Sequence, residues 1–581
     1  MPIHVHTEEL VAVRQILHEE LAAREVEADV SAPRPEPLHM LSAAASESAR
    51  GGRQGSHHVT VMATTPTIRL AEVIAPLSLA TDLAGGVPLE HGLRRTLLAV
   101  WLGQELQLNS GQLSDVYYVA LLGTVGCSVE GTLLAAVSRD ELAVLADGAT
   151  VDPTSTSGIL SWVVRNFGAD EPSWTRLRIL ASALRSGQTQ FQLVCRDVAG
   201  QVGDMLDIGQ TTRQALAQCH ERWDGRGGPM RLTGEDISLP ARIFNLAHHV
   251  DLFHRAVGVE AAVAMLRRGS GKVFDPQLTE RFLPLARGLL SRIEVASAWD
   301  FVLDAEPEPW RHLQPSELDA VTEAMASVPD IRSPYTVGHS PGVARLAAAA
   351  ARELRFSQDE TATIRRAGHL HDLGRCGVPT AVWDKTEPLT ARERTRIEGH
   401  PALTELVLAR SNALGQIGML AGLHHERIDG SGYRRMPASM LPVGAQVLAA
   451  ADAYRTWLEP RPHRPALSPD AVAAALRVDA REGRFTPPVV EAVLGAAGRR
   501  SQPKRMEAGH PAGLSNREVE VLRLVSQGRS TREVAELLVL SPKTIDHHVQ
   551  HIYDKIGVST RVGATLFAMR HDLLEPTPDG S

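Results

Sequence analysis

Seven side chains between positions 339 and 452 could hold metal: His339, His371, Asp372, His400, His424, His425 and Asp452. Only imidazoles and carboxylates are present in the set, the donors that suit a borderline divalent ion. Seven ligands are too many for one ion that keeps a position open, so two ions are expected, with Fe, Mn or Zn as the candidates. Adjacent histidines on a helix point about 100° apart, so His424 and His425 could serve both ions, or one ion and a phosphate. A lone histidine is more often structural; for the ordered set the preference reverses. His248, His249 and His254 lack companion ligands and read as structural.

The same stretch has an internal relative. His220-Glu-Arg-Trp-Asp-Gly225 repeats as His425-Glu-Arg-Ile-Asp-Gly430, and 32 residues separate both His91 from Gly123 and His339 from His371. The first copy has about 43 more residues before its second landmark and carries Gly123-Thr124 where the second has His371-Asp372. This is the pattern of a tandem duplication with one eroded copy, so the first copy is expected to be structural.

The elements that must position these residues are mostly helices of period 3.6, rich in Ala and Leu, so the class is mainly α. At 581 residues the chain is long enough for three or four domains. The expected order is a leader over 1–62, a first copy over 63–303, a second over 313–498, a linker over 499–513 and a small domain over 514–574. Proline-rich breaks at Glu306–Trp310 and at 499–513 mark the joints, and Met62 is an alternative start to Met1. A net charge of −8 and a charged fraction of 22% are ordinary. No apolar run approaches the ~20 residues a bilayer crossing needs, and four cysteines cannot build a disulfide framework. A cytoplasmic protein with no membrane partner is expected.

Residues 335–464 resemble the HD-GYP family of metal-dependent phosphodiesterases, whose usual substrate is cyclic di-GMP. The resemblance rests on His339-Ser, His371-Asp-Leu-Gly374, Gly377-Val-Pro379, Asp384-Lys385, His400-Pro401, the run His424 to Tyr433, Ala451-Asp452 and Arg461-Pro-His-Arg464. It implies that the seven residues are metal ligands, with Asp372 bridging the ions. Two ions about 3.5–4 Å apart activate water and neutralise charge on a phosphodiester. Lys385 and Arg427 are then expected to grip phosphate oxygens, with Asp372, Lys385 and Arg427 forming the catalytic set. Gly430, Gly432 and Tyr433 read as a turn near the entrance. Three departures stand out: Arg375 for the family's Lys, Arg434 for its Pro, and Arg455 at an acidic position. Tyr335 stands where three-metal members carry Glu, which favours two ions.

Past the second linker, Ser515-Asn-Arg-Glu518 is a capping box, Ser530-Thr-Arg-Glu533 starts another helix and Ser541-Pro-Lys-Thr544 caps a third. Such a module is a helix-turn-helix, and Leu514 to Asp572 resembles the LuxR-type DNA-binding domain. The resemblance implies a third helix in the major groove of double-stranded DNA. Asp546, His547 and Gln550 would meet base edges, and Lys543, Thr544, His548 and Lys555 would meet phosphates. With eight Lys/Arg against seven Asp/Glu in this segment, a monomer should bind modestly. A homodimer is expected, through the helix from Arg561 to His571, as the resemblance implies, or through the metal-site domains.

These readings combine into a transcription regulator in which a dimetal domain hydrolyses cyclic di-GMP or a related phosphodiester and is coupled to a DNA reader. The alternative is a regulator that senses the nucleotide without hydrolysing it.

Overall fold

The computed structural model describes residues 68–574, apart from 130–133, 136–137, 139, 170–171, 183–187, 295–296 and 499–509. The expected leader, and most of the expected 499–513 linker, lie outside the described residues. Among the described residues the strands are β1 (Ile68–Arg69) and β2 (His312–Leu313), paired antiparallel with Ile68 opposite Leu313. The remaining regular structure is helical, as expected. No helix among these residues is long and apolar enough to cross a membrane.

The duplication is visible element by element. The first copy is framed by α1 (Leu70–Ala84), α2 (His91–Glu105), α3 (Ser110–Leu122), α4 (Gln188–Met205) and α5 (Leu239–Val257). The second is framed by α6 (Pro315–Asp330), α7 (His339–Glu353), α8 (Gln358–Leu370), α9 (His400–Leu408) and α10 (Val443–Leu458). In α7, Ala344, Ala347, Ala350 and Ala351 are buried, and such small side chains let α8 and α10 approach closely. In both copies an aspartate at the end of the preceding helix accepts from the first turn of the next one. Asp82 takes the Gly92 N–H at 3.1 Å, and Asp330 takes the Ser340 N–H at 2.8 Å and its hydroxyl at 2.7 Å. A carboxylate there satisfies N–H groups that the helix itself leaves unpaired.

The segment from Glu306 to Trp310 is not the loose linker its prolines suggest. The Glu306 carboxylate accepts from the Tyr118 hydroxyl at 2.6 Å and from Arg69 Nε at 2.7 Å. Trp310 Nε1 donates to the Glu306 carbonyl at 3.2 Å, and the Arg69 guanidinium lies 4.1 Å from the Trp310 ring centre. These contacts tie the segment to the first copy, and one hydrophobic cluster runs through both copies.

Four short helices complete the fold: α11 (Asn516–Ser526), α12 (Thr531–Leu538), α13 (Pro542–Ile556) and α14 (Arg561–Arg570). The expected capping box forms between Ser515 and Glu518, a second one joins Ser530 and Glu533 where a helix start was expected, and Ser541 caps α13. Val519, Leu522, Val534, Ile545 and Ile552 make a separate small core. The helix expected to dimerise is packed within the chain. Residues Gly563–Met569 of α14 are all buried, with Ala564, Phe567 and Ala568 in the small domain's own core and Leu566 and Met569 joining the large core of the copies. On α4, Asp197 accepts from the Ser559 N–H at 3.2 Å and the Thr560 hydroxyl at 2.7 Å, so it anchors the start of α14.

The cap of α11 generates a stability prediction. Burial opposes ionisation of Glu518, but Lys555 and the N–H and hydroxyl of Ser515 outweigh it and hold the carboxyl at about 2. A depressed carboxyl stabilises fully above its unfolded value, and that contribution is lost as pH falls toward the folded value. Ser515→Ala is expected to cost about 1 kcal/mol. The stability gap between wild type and Glu518→Gln should close as pH drops from about 4.5 to about 2. Hydrogen exchange in α11 of the full chain measures both; a gap independent of pH would contradict the assignment.

Candidate metal centre

The seven expected ligands come from separate elements that converge. His339 is the first residue of α7, His371 and Asp372 follow the last turn of α8, and His400 opens α9. His424 and His425 lie in the turn after the helix Gly415–Ala421, and Asp452 sits within α10. The turn after α8 must press against α9: a Cβ on Gly374 would stand 2.1 Å from the His400 carbonyl oxygen, so only glycine fits there.

Asp372 stands between two groups of imidazoles. Its Oδ2 is 3.8 Å from His339 Nε2 and 3.6 Å from His371 Nε2. Its Oδ1 is 3.3 Å from His400 Nε2 and 3.7 Å from His424 Nε2. Asp452 closes the ring, 3.2 Å from His339 Nε2 and 4.0 Å from His425 Nδ1. His339, His371 and Asp372 form one cluster with ligand geometry, and His400, His424 and His425 form another.

The outer nitrogens fix the ring directions. His371 Nδ1 bonds to the Gly368 carbonyl at 2.9 Å, His400 Nδ1 to Ile397 at 2.6 Å, and His424 Nδ1 to Ala421 at 2.7 Å. His339 Nδ1 is 2.9 Å from Glu459 Oε2. Each Nε2 is thereby turned inward, which is how metal-binding histidines are usually oriented. His371 Nε2 is buried with no hydrogen-bond partner, a position that a cation would satisfy. Glu459 was not among the residues read from sequence, although it stands two residues before Arg461 of the Arg461-Pro-His-Arg464 motif.

Protonation suits a cation as well. Burial opposes the charge on Asp372 and Asp452, but surrounding imidazoles, together with Arg375 for Asp372, hold both carboxyls well below the usual range. Burial lowers His425 to about 3 and also depresses His424, leaving both neutral. His339 is the exception: burial lowers it, but Glu459 and Asp452 raise it to about 10. A metal entering here displaces that proton, since ligands bind deprotonated.

The centre opens into a cavity of about 550 Å³ lined by His339, Asp372, His400, His425 and Asp452. Lys385 lines it too, with Nζ 2.8 Å from Glu393 Oε2. Arg427, expected to grip phosphate, does not line this cavity. Its guanidinium packs 4.7 Å from the Phe485 ring centre and donates to the Glu426 carbonyl at 2.8 Å. That holds the loop after His425, and Glu426 holds it further by accepting from the Arg434 N–H at 2.8 Å and the Met436 N–H at 3.0 Å. A proline at 434 could not make the first of these bonds. Arg375 donates to Asp372 Oδ2 at 3.1 Å and stacks 3.8 Å from the Trp383 ring centre. Arg455 pairs with Glu459 at 3.3 Å, so its reversed charge is neutralised locally.

In the small domain, α13 exposes Lys543, Asp546, His547 and Gln550, while Thr544 and His548 are half-buried. The Thr544 hydroxyl lies 2.7 Å from that of Ser541, Asp546 accepts from Thr531 at 3.0 Å, and Gln550 donates to Asp554 at 3.0 Å. Lys555 is committed to Glu518 at 2.7 Å, so it can reach a phosphate only by leaving the cap.

Removing one ligand uncouples the two clusters, so His371→Ala and Asp372→Ala should each lose at least one bound ion, read by elemental analysis. Glu459→Gln, which weakens the hold on His339, should lower metal affinity by about 10- to 100-fold. Unchanged metal content in all three would refute the centre.

Two stretches, 204–278 and 321–489, match the HD domain, and 512–568 matches the luxR family of bacterial regulatory proteins. The 3'3'-cGAMP-specific phosphodiesterase 3 of Vibrio cholerae is 30% identical over 419 residues, covering 71% of this chain and 91% of that protein. The cyclic di-GMP phosphodiesterase response regulator RpfG of Xanthomonas campestris is 36% identical over 156 residues, 26% of this chain and 41% of that one. The crystal structure of the V. cholerae cyclic GMP-AMP specific phosphodiesterase V-cGAP3 aligns with a TM-score of 0.52 at 25% identity, over 74% of this chain and 98% of that chain. With that coverage and these motifs, the chain belongs to the HD-GYP family of HD-domain phosphodiesterases and carries a LuxR-type DNA-binding domain at its C-terminal side.

Proposed function

We propose that the second copy hydrolyses a 3',3'-cyclic dinucleotide with two bound divalent ions, and that its ligand state controls the DNA reader. The observation that carries the catalytic half is the two-sided carboxylate of Asp372, with one imidazole cluster on each oxygen. When bound, the ions would supply an activated water and would neutralise the charge developed in phosphodiester cleavage. The chain's own residues hold and orient the substrate. Lys385 exchanges Glu393 for a phosphate oxygen as a point charge at the cavity wall, and Arg375 and Trp383 keep Asp372 in place. Relatives named for cyclic GMP-AMP and for cyclic di-GMP both match, which supports a cyclic dinucleotide as the substrate class.

The regulatory half rests on a shared wall. A second cavity of about 500 Å³ lies between the second copy and the reader, lined by Tyr335 and Glu459 on one side and by Gln527, Arg529 and Glu533 on the other. Tyr335 also lines the metal-site cavity, and Glu459 holds His339. A substrate that moves either residue therefore changes the surface on which the reader rests. In our reading Asp546, His547 and Gln550 read base edges, Lys543, Thr544 and His548 contact phosphates, and two readers pair on DNA only after α14 leaves α4.

Metal-loaded protein is expected to cleave cyclic di-GMP, cyclic GMP-AMP or both, and to lose turnover in Asp372→Ala. Binding of these nucleotides without turnover would replace hydrolysis with sensing. Nucleotide should change operator affinity by roughly 5- to 150-fold, and operator should change nucleotide affinity by the same factor. Identical operator affinities with and without saturating nucleotide, in a variant that binds but does not hydrolyse, would remove the coupling. Asp197→Ala, which frees the start of α14, should raise operator affinity by about 5- to 30-fold if one or two hydrogen bonds hold the docked state; no change would mean that docking does not oppose DNA binding.

A further inference from the structure

The first copy has lost its His-Asp pair, and a fixed cation fills that half of its site. Arg95 is fully buried, donates to the Ala120 carbonyl at 2.7 Å and lies 3.3 Å from the hydroxyl of Thr124. Thr124 is the counterpart of Asp372, so a guanidinium stands against the residue that replaces the bridging carboxylate. His91 has turned to other partners, Asp251 at 2.8 Å and His248 at 2.9 Å. No dimetal centre of the second copy's kind fits around these groups.

The opposite corner of the same site has kept ligands of a different chemistry. Gly126 is the counterpart of Gly374, and a Cβ on it would stand 2.1 Å from the carbonyl oxygen of Cys195, as one on Gly374 would from that of His400. Cys195 therefore occupies the His400 position. His220 occupies the His425 position, in the repeated His-Glu-Arg-x-Asp-Gly motif, and the loop after it is clamped alike: Glu221 accepts from the Met230 and Leu232 N–H groups as Glu426 does from Arg434 and Met436. Cys127 stands where the second copy has Arg375.

We propose that Cys127, Cys195 and His220 bind one soft or borderline divalent cation, Zn(II) above all, in the first copy. Their three ligand atoms lie within 4.8 Å of one another. Tetrahedral zinc with ordinary bond lengths sets sulfur to sulfur at about 3.8 Å and sulfur to nitrogen at about 3.6 Å. The sulfurs here are 3.9 Å apart, and Cys127 Sγ is 3.4 Å from His220 Nε2. Two thiolates cancel the charge of a divalent ion, so the site stays neutral beside Arg95, which an ion held by three imidazoles would not. Cys127 and His220 also line a cavity of about 350 Å³, so the fourth coordination position faces that space and takes water or the donor atom of a small ligand.

The test uses the full chain, reduced, with His371→Ala, Asp372→Ala and His424→Ala together, which removes ligands from both clusters of the other centre. Titrated with Co(II), this protein is expected to bind one equivalent with a thiolate-to-cobalt charge-transfer band in the near ultraviolet, and to retain one Zn(II) through gel filtration. The half-exposed Cys127→Ser should abolish the band and the retained zinc while circular dichroism stays unchanged. The band in the parent protein needs no cysteine variant, so a misfolded variant does not blunt the test. Absence of the band at one equivalent, its persistence in Cys127→Ser, or a Cys127–Cys195 disulfide in place of two metal-protected thiols would overturn the proposal.

Discussion

A carboxylate held at 3% exposure among imidazoles is expensive unless charge reaches it from every side. Asp372 meets that requirement with Arg375 on one oxygen and histidines on both, and the second copy is arranged to deliver them. The turn after α8 is pressed onto α9 through Gly374, so His400 arrives from below, while α7 brings His339 with its outer nitrogen fixed by Glu459. Each oxygen of this carboxylate faces one of the two clusters, the placement that a paired metal centre would need.

In the first copy that carboxylate is absent. With Thr124 in its place there is no anion to compensate, and the same scaffold accepts a buried arginine whose donors are taken by a carbonyl and a hydroxyl. The helices, the aspartate at the end of α1 and the clamped loop after His220 all persist, because these depend on packing and backbone hydrogen bonds rather than on the metal chemistry. A duplicated fold can therefore change its site while keeping its frame, and it does so one corner at a time.

Much of this was legible in the chain. The helical class followed from 3.6-residue periodicity, the caps of the small domain from Ser and Glu three apart, and the convergence of the seven candidate ligands from residue type and order, since most of the motif residues sit at helix ends and turns that local sequence specifies. The features that stayed hidden depended on distant partners. Arg427 looks like any cation beside a histidine motif until Phe485 and the Glu426 carbonyl are seen around it. The prolines of 306–310 suggested a free joint because nothing local reveals that Glu306 will meet Tyr118 and Arg69. Glu459 carries no signal of its own, and Cys195 gives none of its alignment with His400, because the longer insertion in the first copy hides the correspondence.

The reader's position depends on the same insertion. Helix α4 belongs to the part of the first copy that is longer than its counterpart, and it presents Cys195 inward and Asp197 to the start of α14 two residues later. Any force that fixes the first side of α4 therefore bears on the platform of the second. On the other flank, Glu459 touches the candidate metal centre through His339 and lines the cavity beside the DNA-binding domain. The DNA-binding domain is thus held between a surface governed by the first copy and a surface governed by the second. A helix docked on two such surfaces can be released by a change at either one, provided that the change favours the undocked state by more than the contacts it breaks.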